Sequence, residues 1–149
     1  YKPELLDTVT YVAKELGYTN AMFVHGLDGL DEISLLGATK INQLKDGVVT
    51  TYQICPEDFG LKRCTLDEIK TGTPEENATI TGVFKGEITG PRKDAIVLNA
   101  SGALVVGGKA KDFAEGIKLA SELIENGAAL KKLEQLQTLS NQLASEKNE

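Results

Sequence analysis

The pattern of apolar and polar residues predicts a helix, a short strand and a loop at the start of the chain. Apolar residues recur at helical spacing over residues 5–16, where Pro3 suits the first turn and Gly17 is placed to end the helix. The continuous apolar run over residues 21–25 is typical of a short buried strand. Residues 26–32 contain two glycines and three carboxylates, and they predict a loop.

A β-hairpin is predicted next. Two strand-like runs, residues 39–44 and residues 48–54, flank Lys45-Asp46-Gly47. An Asp-Gly pair between two such runs favours a tight turn, because both central positions of that turn need a positive φ. Residues 56–61 show no regular period and are expected to be irregular.

The second half of the chain predicts mostly helix. Thr73-Pro74-Glu75-Glu76 has the form of a capping box with proline at the first helical position. Ile80, Val83 and Phe84 form the apolar stripe of that helix, which Gly86 would end.

A second buried strand is expected over residues 95–98, and from Ala100 onward the pattern is helical, with breaks at Gly107-Gly108 and Gly127. The last helix carries leucines that we expect to be buried against the domain, although a partner helix is an alternative. They are Leu130, Leu133, Leu136, Leu139 and Leu143. Strands that alternate with helices indicate an α/β domain.

Composition and charge narrow the classes of function. The 149 residues are 41% hydrophobic and 26% charged, which suits one globular domain spanning residues 1–149. A net charge of −6 without a basic block argues against nucleic acid as a partner. No apolar run approaches the ~20 residues of a membrane span.

The cysteines and the first residue suggest where the chain acts and what kind of chain it is. No secretory leader precedes Cys55 and Cys64, so we expect reduced thiols in a cytoplasmic protein. The chain starts at Tyr1 without methionine and enters a helix at once, as a fragment, a processed product or a trimmed chain would.

The acidic loop is the best candidate for chemistry. Asp28, Asp31 and Glu32 lie within five residues and follow a predicted buried strand, where α/β proteins often bind ligands. Adjacent carboxylates suit Mg²⁺, which prefers oxygen ligands and keeps water or substrate phosphates in its shell. The alternative is that Asp31 and Glu32 only favour the N-terminus of a short helix that follows.

Other polar groups have simpler explanations that remain open beside functional ones. His25 could act as a general base, but we favour a histidine at the end of a strand bonded to backbone. Glu75, Glu76 and Asn77 could face a ligand or could cap a helix. The segment over residues 90–94 could bind an anion or form a solvated turn.

Several stretches together resemble one family. In chain order they are Val24-His25-Gly26-Leu27-Asp28-Gly29-Leu30-Asp31-Glu32-Ile33-Ser34, Pro56-Glu57-Asp58-Phe59-Gly60-Leu61, Glu76-Asn77-Ala78, Asp94-Ala95-Ile96-Val97-Leu98-Asn99-Ala100 and Gly108-Lys109-Ala110. Their order and spacing resemble the C-terminal half of the anthranilate phosphoribosyltransferases, over nearly the whole chain.

This resemblance implies a fold, a reaction and a metal. The fold would be the C-terminal portion of the large α/β domain of a nucleoside phosphorylase/phosphoribosyltransferase-like protein. The family moves a phosphoribosyl group from phosphoribosyl pyrophosphate to anthranilate in tryptophan biosynthesis, releasing pyrophosphate with Mg²⁺. Its metal-binding Asp-Glu pair falls on Asp31 and Glu32. The metal would let an acidic protein hold a phosphate-rich substrate.

The departures from the family are also informative. The family's helical domain with its dimer contact, its glycine-rich phosphate loop, its Lys-His-Gly-Asn segment and its anthranilate-binding arginine do not occur in this chain. The resemblance implies a homodimer for the full-length protein. Because these parts are missing, we expect no activity for this part alone. A pyrimidine nucleoside phosphorylase-like enzyme and a non-catalytic module of the same fold are the alternatives.

Overall fold

A computed structural model describes residues 2–70 and 79–146, and all structural statements below concern these residues. The helix start expected at Thr73 lies outside them. The chain forms helix α1 (Leu5–Glu15), strands β1 (Asn20–Gly26), β2 (Thr39–Lys45) and β3 (Val48–Ile54), and a 3₁₀ turn (Pro56–Phe59). Helices α2 (Leu66–Ile69), α3 (Thr79–Phe84), α4 (Pro91–Val106), α5 (Phe113–Glu125) and α6 (Ala128–Glu146) follow.

The three strands form an antiparallel meander in the order β1-β2-β3. The β2–β3 turn confirms the hairpin prediction, since Asp46 and Gly47 have φ of 51° and 78° and Lys45 pairs with Val48. These positive φ values are those that a two-residue Asp-Gly turn requires. The turn therefore fixes the register of the hairpin.

An apolar core joins one face of the sheet to helices α4 and α5. Ile33, Ile41, Leu98 and Phe113 are buried there, with Met22 and the other half-buried apolar side chains packed around them. Because side chains alternate across a strand, Met22 and Ile41 lie on the helix-facing side of the sheet. One face of the three-stranded sheet is therefore buried in the core.

Helix α1 packs on the opposite face, so the described residues form three layers. Leu6, Thr10 and Ala13 of α1 are buried. The Asp7 carboxylate accepts a 2.7 Å hydrogen bond from the Asn42 amide of β2. That bond, followed by the nearby charge of Lys40, lowers the pKa of Asp7.

The N-terminal helix was predicted correctly, but much of its apolar stripe is exposed. Its buried side follows Leu6, Thr10 and Ala13. A second apolar row is largely in solvent and consists of Leu5, Val9, Val12 and Leu16. The apolar surface of α1 is therefore wider than the part of the helix that the sheet covers.

The second buried strand expected over residues 95–98 is wrong, because these residues lie in the middle of helix α4. A run of four apolar residues fits a strand and a buried helix equally well, and its period cannot decide between them. Gly90 and Pro91 do mark a boundary, with Pro91 in the first turn of α4. The breaks at Gly107 and Gly127 are confirmed, since α4 and α5 end there.

The expected burial of the last leucines is also wrong for the outer part of α6. Leu130 and Leu133 are half-buried, but Leu136, Leu139 and Leu143 are 62%, 54% and 51% exposed. Only the first turns of α6 contact the other helices, and the rest of the helix extends beyond the described core. No helix among the described residues is both long and apolar enough to cross a membrane.

Two leucines with opposite exposure test this packing. Leu98 is 1% exposed in the core, so Leu98→Ala should lower the free energy of unfolding by about 2–5 kcal/mol. Leu139→Ala, the matched control on α6, should change it by less than about 0.5 kcal/mol. Urea unfolding of both variants measures the difference. An equal loss for Leu139→Ala would mean that a partner covers this face in solution.

Candidate functional site

The loop over residues 27–38, called the acid loop below, connects the end of β1 to the start of β2. Its base is closed by a 2.8 Å hydrogen bond from the Leu27 amide to the Ala38 carbonyl. Inside it, the Gly26 amide donates to the Leu30 carbonyl at 2.8 Å, and Gly29 takes a φ of 103°. A positive φ of this size favours glycine, so the loop depends on Gly29 for its first turn.

Asp28 has a structural role within the acid loop. One of its carboxylate oxygens accepts from the Leu30 amide at 3.1 Å, and the other accepts from the Ser34 hydroxyl at 2.6 Å. The Ser34 oxygen in turn accepts from the Leu36 amide at 2.9 Å. A Cβ at Gly26 would stand 2.8 Å from the Asp28 carboxylate, so glycine is needed for this close approach.

Asp31 and Glu32 are left over from this internal network. Both side chains are exposed, and no described residue donates a hydrogen bond to either carboxylate or pairs with it. Partial burial raises the pKa of Glu32, and the adjacent charge of Asp31 raises it further. The two carboxylates therefore repel each other without compensation from the described residues.

The alternative explanation for this pair, a helix that begins after it, is wrong. Residues 31–38 contain bends but no helix, and the next regular element is β2. A helix N-terminus therefore does not stabilise either charge. Two free carboxylates side by side are a suitable pair of ligands for a hard cation.

The chain beyond Glu32 is fixed by helix α4. The Asn99 side chain accepts from the Ile33 amide at 2.9 Å and donates to the Ile33 carbonyl at 2.9 Å. It also donates to the Ala95 carbonyl at 3.0 Å, one helical turn earlier. The Ile33 side chain is 4% exposed and packs in the core. The exposed carboxylates thus lie directly before a rigidly held residue.

His25 is 5% exposed near the end of β1, opposite Lys40 of β2. Its Nδ1 atom is buried and has no hydrogen-bond partner among the described residues. The preferred interpretation of a histidine bonded to backbone is therefore wrong for this atom. The general-base interpretation has no support either, because none of the hydrogen bonds among the described residues joins the buried Nδ1 atom to a nucleophile.

The segment over residues 90–94 is neither a solvated turn nor a free cationic site. It forms the first turn of α4. Arg92 donates to the Lys70 carbonyl at 3.2 Å, and Lys93 lies 3.4 Å from the Glu125 carboxylate. Both cations are engaged within the fold. Glu75, Glu76 and Asn77 lie outside the described residues.

Asp31 and Glu32 would be a small set of protein ligands for a metal ion. In residues 2–70 and 79–146, no cluster of three or more histidine, cysteine or carboxylate side chains is placed to hold a metal ion. Two carboxylates fill two positions of the six that Mg²⁺ needs. Water or a phosphate-bearing substrate would have to fill the others.

Sequence reasoning missed three residues that shape the site: Ser34, Thr39 and Asn99. The Thr39 hydroxyl accepts from the Ser34 amide at 2.9 Å and joins the loop to β2. One signal was available for Asn99, since asparagine is a weak helix former and stands among apolar residues. Such a residue inside a helix often has a specific partner.

Comparison with known proteins gives the family. The model of the glycosyl transferase family, a/b domain, matches residues 1–130. The anthranilate phosphoribosyltransferase of Methanobrevibacter smithii is 44% identical over 135 residues, covering 90% of this chain and 40% of that protein. The chain thus spans about 40% of the length of the curated relatives that it matches.

Solved structures agree. The anthranilate phosphoribosyltransferase of Thermus thermophilus superposes with a TM-score of 0.80 at 36% identity, covering 91% of this chain and 40% of that chain. The Saccharomyces cerevisiae enzyme in complex with PRPP and Mg gives 0.81 at 30% identity, with 90% and 39% covered. The mixed α/β fold and the order of its elements are therefore shared. The chain belongs to the glycosyl transferase family, as part of its α/β domain, and it matches the C-terminal part of the family's anthranilate phosphoribosyltransferases.

Proposed function

We propose that this chain is the C-terminal part of the α/β domain of a Mg²⁺-dependent anthranilate phosphoribosyltransferase. The full-length enzyme transfers the phosphoribosyl group of phosphoribosyl pyrophosphate to the amine of anthranilate and releases pyrophosphate. Support comes from the relatives above and from the Saccharomyces cerevisiae enzyme, solved with PRPP and Mg and with 4-fluoroanthranilate. We extend the proposal to a cytoplasmic homodimer whose helical domain and phosphate loop lie outside residues 1–149.

One observation carries the proposal: Asp31 and Glu32 are adjacent carboxylates without a partner among the described residues, whereas the third acid of the loop, Asp28, is bonded within it. In this role they hold Mg²⁺ together with substrate oxygens. When bound, the metal neutralises charge on the pyrophosphate leaving group. Its positive charge would also oppose the partial burial and the Asp31 charge that together raise the pKa of Glu32.

The carboxylate pair can be tested in the full-length enzyme. Asp31→Asn with Glu32→Gln should lower turnover at limiting Mg²⁺ by about 100-fold or more, the loss expected when a charge stabiliser is removed. The chain offers a matched control, Asp67→Asn with Glu68→Gln, in a second adjacent Asp-Glu pair on α2. Steady-state rates against Mg²⁺ concentration measure both. Wild-type turnover in the first double variant would exclude the metal assignment.

The raised pKa of Glu32 predicts a pH-dependent stability. The folded chain disfavours the ionised form of Glu32. The contribution of protonated Glu32 to the free energy of unfolding is therefore fully present below the ordinary pKa of 4.5, and it is lost as the pH rises through the raised pKa of the folded chain. Glu32→Gln should therefore unfold at a slightly higher temperature than wild type at neutral pH without metal. Solvent screening keeps the gain below about 1 kcal/mol.

The difference in unfolding temperature between Glu32→Gln and wild type should vanish at pH values below the ordinary pKa of a glutamate, because wild-type Glu32 is then protonated as well. Thermal unfolding across this pH range measures it, and Glu134→Gln on the exposed side of α6 is the control. A Glu32→Gln variant that is less stable than wild type at neutral pH would show that the carboxylate has a stabilising partner.

The 149-residue chain by itself should not catalyse the reaction. Transfer requires two positioned substrates and stabilised charge on the leaving group. The described residues offer only the carboxylate pair. Formation of phosphoribosylanthranilate by the pure chain should be undetectable by chromatography and should appear when an N-terminal half is added. Activity of the pure chain would contradict this prediction and would require substrate-binding sites within the 149 residues.

A further inference from the structure

The Asn99 side chain makes an unusual pairing with the backbone of Ile33. Its Oδ1 accepts from the Ile33 amide and its Nδ2 donates to the Ile33 carbonyl, both at 2.9 Å, across 66 residues of sequence. The amide orientation follows from its partners, because a backbone N–H only donates and a carbonyl only accepts. The Nδ2 bond to the Ala95 carbonyl also fixes the side chain on its own helix.

The carboxylate pair lies between two fixed points. On one side, Leu30 is held through its carbonyl by Gly26 and through its amide by Asp28. On the other side, Ile33 is held by Asn99. Only Asp31 and Glu32 stand between these points. The directions in which their side chains leave the backbone therefore depend on both.

We propose that Asn99 is a positioning residue for the metal-binding pair, an inference that rests on the proposed function. Its amide sets the backbone at Ile33 and so holds Asp31 and Glu32 in the arrangement in which they would bind Mg²⁺ together with substrate oxygens. Partners that orient metal ligands from outside the coordination shell commonly control metal affinity. The position on α4 joins the acid loop to a helix that contributes Leu98 to one apolar core cluster and Val97 to another.

The chemistry requires an amide. Asparagine donates and accepts through one planar group and can therefore match both the N–H and the C=O of a single residue. Aspartate keeps the acceptor for the Ile33 amide but cannot donate to the Ile33 carbonyl. Alanine removes both bonds.

The experiment uses the full-length enzyme that contains this chain, with Asn99→Ala and Asn99→Asp. The matched control is Asn42→Ala, since Asn42 is 1% exposed and bonds to Asp7 and Thr51 on the face covered by α1. Three quantities are measured: half-saturating Mg²⁺ for phosphoribosyl transfer, binding of Mg²⁺ with inorganic pyrophosphate by calorimetry, and the unfolding temperature.

Asn99→Ala should raise the half-saturating Mg²⁺ concentration about 10- to 100-fold, the range for partners of metal ligands, while saturating Mg²⁺ restores most of the turnover. Asn99→Asp should move it in the same direction. An added negative charge by itself would attract Mg²⁺, so weaker binding in this variant reports geometry. Asn42→Ala should lower the unfolding temperature and leave the Mg²⁺ requirement at the wild-type value.

Other outcomes overturn the inference. A wild-type Mg²⁺ requirement in Asn99 variants that merely unfold earlier would make Asn99 a structural residue only. If Asn99→Ala does not fold, the near-isosteric Asn99→Asp decides by the direction of its change. A wild-type enzyme that binds Mg²⁺ and pyrophosphate but does not transfer phosphoribose would refute the proposed function alone, since the calorimetry still tests Asn99.

Discussion

The acid loop takes its shape from the burial of one residue, Ile33. Its side chain packs with Leu98 and Phe113, so its backbone is carried out of water, where its N–H and C=O must find partners. No strand of the described three-stranded sheet supplies them, and the Asn99 side chain does so instead. A buried peptide group left unpaired costs about 1–3 kcal/mol, which makes this pairing a condition for the loop and for the site on it.

The burial of Ile33 also separates the three acidic residues of the acid loop by their surroundings. Asp28 faces the inside of the loop, where hydroxyl and amide donors use both of its oxygens. Asp31 and Glu32 lie just before the buried residue and face solvent. Within a few positions, one carboxylate thus maintains the loop and two candidate ligands keep free oxygens at an electrostatic cost. Such a conflict between neighbouring charges is common where a site awaits a ligand.

The sequence predicts correctly those features that depend on the backbone conformation of one or two residues. Gly17 ends α1 and Asp46-Gly47 makes the turn, because both depend on backbone conformations that few residues adopt. The Asp31–Glu32 pair could be singled out as a candidate from its spacing and from family resemblance. The run over residues 95–98 could not be assigned, since period is uninformative for a short apolar stretch. The exposure of Leu139 depends on how far the neighbouring helices reach, and the sequence of α6 does not contain that information.

The connection between Asn99 and Ile33 also imposes an order on how the molecule is made. The strands β1, β2 and β3 are consecutive neighbours, and hairpins of this kind form within about 1–10 μs of being available. Asn99 lies 66 residues beyond Ile33, and at ribosomal rates of about 5–20 residues per second it emerges roughly 3–13 s after Ile33. From the synthesis of Ile54, the last residue of β3, until Asn99 emerges, the nascent meander has its acid loop without the helix that fixes it. The acid loop with its candidate carboxylate pair is therefore completed late in synthesis, when α4 leaves the ribosome and docks.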